Sequence, residues 1–404
     1  MEKNTLQDFP KDEKLGLVLE GGGVKGAYQF GALKALFEAG YNFDGVTGTS
    51  IGALNGALIV QGGYENLIEF WSDIRASKLF EIEDEVVEKA LKLDFDIEWV
   101  GKLAHIFRNI KNVINNSSDK MYAYFSSFYN EEKIRESKMD YGLVTFSLSD
   151  FKPVEVFKEE IPQGQLVDFL VASACFPIYR FQKINGEKYI DGGVYDNMPI
   201  NLLAKKGYKN IIAIRTKGKE PRRKLLYNNL KIVYITPSED LGKAVCFTEG
   251  RIERNKKLGY FDALRMLNGY MGTKYYILPY NEKMVMSYLH SIPTDALAEL
   301  VDELIGVRPR QKSDCLREIF YTIKKELKLK TSEQEVVYMT LFELFGALCK
   351  MEKFKFYQPL DFMAQVSTRA SLKGNTLEEF LDNTKALRNV KLREIFYVFA
   401  HYLK

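Results

Sequence analysis

Residues 15–26 read LGLVLEGGGVKG, and residues 45–56 read GVTGTSIGALNG. The run LGLVL is short and apolar and breaks at Glu20 and three glycines, which predicts a buried strand followed by a turn. A helix is expected from about Val24, with Ala27, Phe30, Leu33 and Phe37 on one face and Gly40 as its stop. GVTGT predicts a second strand. Residues 51–61 predict a helix with small residues almost all round (Gly52, Ala53, Gly56, Ala57), a composition suited to tight packing between neighbours, and Gly62 and Gly63 end it.

Working outward, residues 64–138 read as mostly helical. Strands are expected at 143–148 (LVTFSL) and 153–157 (PVEVF), and a helix at 166–176 that stops before Pro177. Residues 188–190 lead into Asp191-Gly192-Gly193, and residues 211–215, 232–236 and 275–278 are further short apolar runs. Strands alternating with helices imply an α/β layered fold with a mainly parallel sheet. After about residue 282 the strand signals stop, and residues 283–404 read as amphipathic helices, with Thr331-Ser332-Glu333 and the NTLE of residues 375–378 as helix starts. The expected division is a polar extension over 1–14, a core over 15–204, a continuation of the α/β domain over 205–282, and a helical region over 283–404 to which no role is assigned.

Composition narrows the function. Of the 404 residues 46% are hydrophobic and 27% charged, so the chain can bury a core and disorder is excluded as a description of the whole. Lys plus Arg is 57 against 54 for Asp plus Glu, which speaks against a strongly basic nucleic-acid binder. The four cysteines (175, 246, 315, 349) form no C-x-x-C pair and the three histidines (105, 290, 401) are isolated, so no zinc site of paired ligands is expected. Unpaired cysteines suit a reducing compartment. Residues 1–14 lack the apolar centre of a signal peptide. The longest apolar stretch, residues 336–349, contains Glu343 and is shorter than the roughly 20 residues a membrane span needs. A soluble, cytoplasmic protein is expected.

Three motifs carry chemistry. Gly48-Thr49-Ser50-Ile51-Gly52 is a G-x-S-x-G at a strand-to-helix junction, where residues two before and two after the serine must approach closely and the next helix aims free N–H groups at the serine oxygen. Ser50 is read as a nucleophile, against the plainer reading of a helix N-cap. Gly21-Gly22-Gly23-Val24-Lys25-Gly26 fits an oxyanion hole, a dinucleotide loop of the form G-x-G-x-x-G with acidic Asp44 beyond it, or a tight turn. Asp191-Gly192-Gly193 alone reads as a turn. Yet Ser50 needs a proton acceptor, and His290 and His401, the two histidines after Asp191, stand in helical stretches. A carboxylate acting directly as base is the economical alternative.

GGGVKG, GTSIG and DGG, in this order and on these elements, resemble the patatin-like phospholipase family, as do residues 26–36 (GAYQFGALKAL) and 172–177 (ASACFP). The likeness covers about residues 15–204. It implies a three-layer fold and a Ser–Asp dyad, with Ser50 as nucleophile and Asp191 as general base. It also implies an oxyanion hole in the loop Gly21, Gly22, Gly23, Val24, Lys25 and Gly26, with Gly22, Gly23 and Val24 as amide donors and Ile51 as a contributor. Lys25 matches the basic position of the family loop, and Glu20 stands where many members have Asp. Gly48 and Gly52 frame the elbow; Gly192 and Gly193 complete the third motif. The implied activity is hydrolysis of carboxylic esters in phospholipids or other acyl lipids, without metal or organic cofactor. Two rivals stand beside it, a nucleotide-binding oxidoreductase using Gly21–Gly26 and a non-catalytic lipid-binding protein on the same fold.

Residues 205–224 hold nine Lys and Arg against one Glu. They read as a solvated loop between strands, or as a patch drawn to an anionic membrane surface. The aromatic stretch at 121–129 (MYAYFSSFY) reads as core packing or as the lining of an acyl pocket. No nucleic-acid partner is expected, and the oligomeric state is open.

Overall fold

Strand β1 (Leu15–Leu19) lies in the interior of an eight-stranded sheet. After it come α1 (Gly26–Glu38), β2 (Gly45–Thr49), α2 (Ile51–Gly62), α3 (Tyr64–Asp73), α4 (Glu131–Glu136), β3 (Asp140–Ser147) and β4 (Lys152–Phe157). Then follow α5 (Leu166–Ser173), β5 (Gln182–Ile184), β6 (Glu187–Asp191), α6 (Ile200–Lys205), β7 (Asn210–Ile214), β8 (Lys231–Ile235) and α7 (Glu249–Asn268). The strand order is β5-β6-β3-β2-β1-β7-β8, with β4 also paired to β3. Strands β3, β2, β1, β7 and β8 run parallel, whereas β4 and β6 are antiparallel to β3 and β5 is antiparallel to β6. The computed structural model describes residues 13–75, 122–175, 182–218, 222–244, 247–372 and 389–402. The chain divides into two compact units, Met1–Leu267 and Asn268–Lys404.

Strands β2 and β7 are buried along their whole length, the condition of a parallel sheet covered on both faces. Alternation along β1 shows what covers them. Gly16 and Val18 face α6: a Cβ at Gly16 would lie 2.5 Å from Leu203, and Val18 packs with Leu203, Tyr208 and Ile211. On the opposite face Gly56 admits α2, since a Cβ there would lie 2.9 Å from Val46. The sheet thus lies between helical layers, as expected.

Helix α1 is buried beyond the expected stripe: Tyr28, Gly31, Ala32, Ala35 and Leu36 are buried with Ala27 and Leu33. Phe30 and Phe37 are half-buried and pack on Tyr64, at 5.0 and 5.8 Å between ring centroids. The reason for the wider burial is α7, a helix of 20 residues that the apolar pattern does not announce. Its buried face carries Asn255, Gly259 and Asp262 beside Ile252, Leu258 and Ala263, so the apolar period is interrupted. Around 121–129, Phe125 and Tyr129 are buried, and Phe70 packs against Phe125 and Phe128, in line with a core role. The expected helix over residues 76–121 lies outside the described residues, as do Phe176, Pro177 and residues 375–378.

In the second unit the run at 275–278 does form a strand, β9 (Tyr276–Ile277), but its partner is β10 (Phe356–Tyr357), a two-residue strand inside the region expected to be wholly helical. The helices are α8 (Glu282–Leu289), α9 (Thr294–Ile305), α10 (Lys312–Glu326), α11 (Gln334–Leu348), α12 (Pro359–Leu372) and α13 (Val390–Tyr402). They enclose one apolar core, in which Phe345 stacks on Phe396. Buried Glu343 accepts amide hydrogens from Thr273, Lys274 and Tyr275, which satisfies a carboxylate that would otherwise be costly there. No described helix is long and apolar enough to cross a membrane.

Candidate active site

The register around β3 brings the serine and the aspartate together. Strand β4 covers one flank of β3 continuously from Gly142 to Ser147. The other flank is shared: β2 pairs with Asp140–Val144 and ends with Thr49 opposite Val144, and β6 pairs with Thr145–Ser147 and ends with Asp191 opposite Thr145. Two strands of opposite direction therefore meet end to end beside the Val144–Thr145 peptide. Thr49 and Asp191 thus pair with successive residues of β3. Ser50 is the next residue after Thr49, at the joint.

Ser50 has φ 55° and ψ −128°, a conformation costly for a residue with a side chain, and it is buried at the mouth of α2. The two glycines of the elbow are required by space. A Cβ at Gly48 would lie 2.3 Å from the backbone of Gly52, and one at Gly52 would lie 2.1 Å from the Leu19 carbonyl. Ser173, at the end of α5, fills the gap between the abutting strands. Its hydroxyl donates to the Val144 carbonyl at 2.7 Å and accepts the Ser50 N–H at 3.0 Å. The Asp191 carboxylate accepts the Gly193 N–H at 2.8 Å, and the Asp191 N–H donates to the Cys175 carbonyl at 2.8 Å, so both its ends are held. Gly192 must be glycine, because a Cβ would lie 2.2 Å from the Val144 carbonyl oxygen.

The glycine loop lies beside this joint. Leu19 pairs with Gly48, and a Cβ on Gly21 would lie 3.1 Å from the Thr49 carbonyl. The Gly21 carbonyl accepts from Thr216 Oγ1 at 2.5 Å and from Asn197 Nδ2 at 3.3 Å. In a trans peptide the N–H points opposite to the carbonyl, so these two side chains fix where the Gly22 N–H is aimed. Among the described residues, no acceptor takes the N–H of Gly22 or of Gly23. The other loop amides are engaged: Gly21 donates to the Asn197 carbonyl at 3.0 Å, Val24 to the Ala244 carbonyl at 2.8 Å, Lys25 to Gly22 at 3.2 Å, and Gly26 to Gly23 and Val24. Val24, expected among the donors to an oxyanion, has its N–H directed elsewhere.

Buried carboxylates surround the loop. Glu20 accepts the N–H groups of Thr216 at 2.6 Å and Lys217 at 3.1 Å, and burial raises its pKa above the usual carboxylate value. Asp196 accepts the Met198 N–H at 3.1 Å and is pushed up to about 6, chiefly by burial. Asp44, the acid that a dinucleotide site would need near its phosphate loop, instead accepts the N–H of Leu15 at 2.8 Å. It precedes β2 and so stands at the opposite end of the strands from the glycines, about 16 Å away for strands of five residues. His290 ends α8, with Nδ1 2.6 Å from the Met286 carbonyl, and His401 is exposed on α13; His105 lies outside the described residues. Sequence reading passes over Ser173, Asn197 and Thr216; of these only Ser173 falls in a stretch that its sequence singles out, residues 172–177.

Residues 17–204 match the family model described as patatin-like phospholipase. The chain is 27% identical over 203 residues to patatin-like phospholipase domain-containing protein 7 of Rattus norvegicus, which is 50% of this chain and 13% of that protein. It is 28% identical over 203 residues to protein 6 of the same description from Homo sapiens, again 50% and 13%. To lysophospholipase NTE1 of Debaryomyces hansenii it is 26% identical over 218 residues, 54% of this chain and 13% of that one. The chain thus spans about an eighth of the length of these relatives. Among solved structures, VipD from Legionella pneumophila aligns over 97% of this chain and 92% of its own, with 14% identity and a TM-score of 0.40.

Proposed function

We propose, from the match of residues 17–204 to the patatin-like phospholipase model, that the chain is a serine acyl hydrolase acting on carboxylic esters of phospholipids or other acyl lipids. The observation that carries the reading is the end-to-end meeting of β2 and β6, with Ser50 and Asp191 at the joint. Ser50 Oγ attacks the ester carbonyl while Asp191 takes its proton. The tetrahedral oxyanion is held by the N–H groups of Gly22 and Gly23, with Ile51 at the helix start beside them. Collapse releases the alcohol, which takes the proton from Asp191, and leaves an acyl-Ser50 ester. Water then attacks and Asp191 accepts its proton; collapse expels Ser50 Oγ, which takes that proton back from Asp191, and the carboxylic acid leaves. No step of this scheme calls for a metal or an organic cofactor. The absence of any C-x-x-C pair in the sequence supports a cytoplasmic setting, from which the enzyme would reach lipid at a membrane surface.

Intact mass after treatment with a fluorophosphonate tests the dyad. Wild type should gain one adduct, Ser50→Ala none, and Asp191→Asn one at a rate at least about a hundredfold lower, in the range of a lost general base. An adduct that persists in Ser50→Ala would overturn the assignment. A folded wild type that takes no adduct but binds lipid would favour the non-catalytic rival.

A further inference from the structure

We propose that residues 222–227, together with Val194, form a docking surface that seats the catalytic unit on an anionic phospholipid bilayer. The choice of partner rests on the lipid-hydrolase reading above; the surface itself rests on geometry.

Residues 222–227 read Arg-Arg-Lys-Leu-Leu-Tyr and connect β7 to β8. They are not a loose loop. Asn201, buried in α6, donates from Nδ2 to the Lys224 carbonyl at 2.9 Å and accepts the Leu226 N–H on Oδ1 at 2.9 Å. One amide thus grips the chain on both sides of Leu225. Arg223 is the second anchor: its guanidinium lies 4.9 Å over the Tyr195 ring and 3.4 Å from Glu155, and its N–H faces Asp196.

With those anchors turned inward, the rest points to water. Leu225 is 41% exposed, Leu226 61% and Tyr227 41%. Single exposed apolar residues are ordinary, but three in succession on a fixed segment are not. Arg222 and Lys224 precede them, both exposed and neither within ion-pair distance of a carboxylate among the described residues, with Arg222 near enough to Glu20 to favour its charged form. Val194, beside Tyr195 and three residues past Asp191, is 42% exposed. The patch therefore borders the Asp-Gly-Gly segment of the site.

Two exposed cations beside two leucines and a tyrosine fit one environment best. Cations are drawn to anionic head groups, aliphatic side chains enter the acyl boundary, and tyrosine favours the interface between them. A nucleic acid would favour cations with aromatic stacking platforms rather than a leucine pair. An acidic protein surface would satisfy the cations and leave the leucines without purpose.

Flotation of the full chain with vesicles tests this independently of turnover. Ser50→Ala, used to prevent hydrolysis, should float with phosphatidylcholine vesicles containing phosphatidylglycerol and far less with phosphatidylcholine alone. In that background Arg222→Glu with Lys224→Glu should weaken binding at least about twenty-fivefold, at about fivefold for each cation lost. Leu225→Ser with Leu226→Ser should weaken it at least about tenfold. Lys224→Glu alone and the paired leucine substitutions, in the wild-type background, should leave the fluorophosphonate labelling rate unchanged, which shows that the site is intact. Vesicle binding that is absent, or indifferent to both pairs of substitutions, overturns the docking surface even where labelling succeeds. Binding that follows the prediction without labelling overturns the hydrolase reading and leaves the docking surface standing.

Discussion

Ser50 has φ 55°, in the left-handed region that glycine occupies without penalty. The strain belongs to the Cβ, not to the hydroxyl, and two inactive variants separate them. Ser50→Ala keeps the Cβ and Ser50→Gly removes it, while both keep the N–H that Ser173 accepts. Ser50→Gly should therefore be the more stable of the two by about 1 kcal/mol in urea denaturation, the usual cost of such a conformation. Equal stabilities would mean that the elbow is relaxed in solution. The same scale explains the roles of the glycine loop. Gly22 and Gly23 keep open N–H groups because neighbouring polar groups are committed elsewhere: the Gly21 carbonyl to Thr216 and Asn197, the Val24 N–H to Ala244. The partners that hold this arrangement are remote in sequence. Ser50 and Ser173 are 123 residues apart, Gly21 and Asn197 176, and Gly21 and Thr216 195. The residues assigned the chemistry are legible because glycine spacing marks them locally. The residues that aim them are not, because a serine, asparagine or threonine shows its role only through its distant partner.

At the scale of elements, the same division recurs. Strands β1 and β7 are legible because burial on both faces makes them short apolar runs. The abutment of β2 and β6 on one flank of β3 is not, because register is a property of pairs of strands. Helix α7 escapes the apolar pattern because its buried face is partly polar, and that polarity has a purpose. Asp262 accepts the Ser238 N–H at 2.8 Å, and Asn255 donates to the Leu241 carbonyl at 3.1 Å. The segment they hold leads to Ala244, whose carbonyl receives Val24 in the glycine loop. Helix α7 is thus tied to the site through a segment it does not contain. Its seat on α1 depends on two glycines: a Cβ at Gly259 would lie 1.9 Å from the Tyr28 carbonyl oxygen, and one at Gly31 1.8 Å from that of Lys256. Backbone cannot yield as a side chain can. Gly259→Ala should destabilise the unit by about 2 kcal/mol or more, as overpacking does. Gly250→Ala, on the same helix with nothing within 4 Å of the added carbon, should instead stabilise by up to about 1 kcal/mol through helix propensity. If both substitutions cost the same, close packing of α1 on α7 is not what holds the helix.

For the molecule as a whole, two compact units mean that unfolding need not be one transition, so a probe confined to one unit is needed. Both tryptophans of the sequence, Trp71 and Trp99, fall within Met1–Leu267, and Trp71 is buried in α3, so tryptophan fluorescence follows the first unit. That unit carries a carboxyl out of its ordinary range: Asp196, fully buried and pushed up to about 6 by burial, against about 3.9 in an unfolded chain. Among the described residues its Oδ2 has no hydrogen-bond partner, so the ionised form is poorly compensated. Between the two pKa values the folded state binds more protons than the unfolded state, so stability falls as pH rises. The contribution of Asp196 is most favourable below pH 4 and is lost as pH rises through about 6. Asp196→Asn removes the titration while keeping an oxygen to accept from Met198. Relative to wild type, the variant should therefore gain on the order of 2 kcal/mol between about pH 4 and about pH 8. Glu20, also raised by burial, titrates in both proteins and cancels from the difference. Tryptophan-monitored urea denaturation at the two pH values measures it. A difference independent of pH would mean that water or a rearranged Arg223 compensates the Asp196 charge in solution. The joint between the Asp-Gly-Gly segment and residues 222–227 would then be looser than the static structure describes.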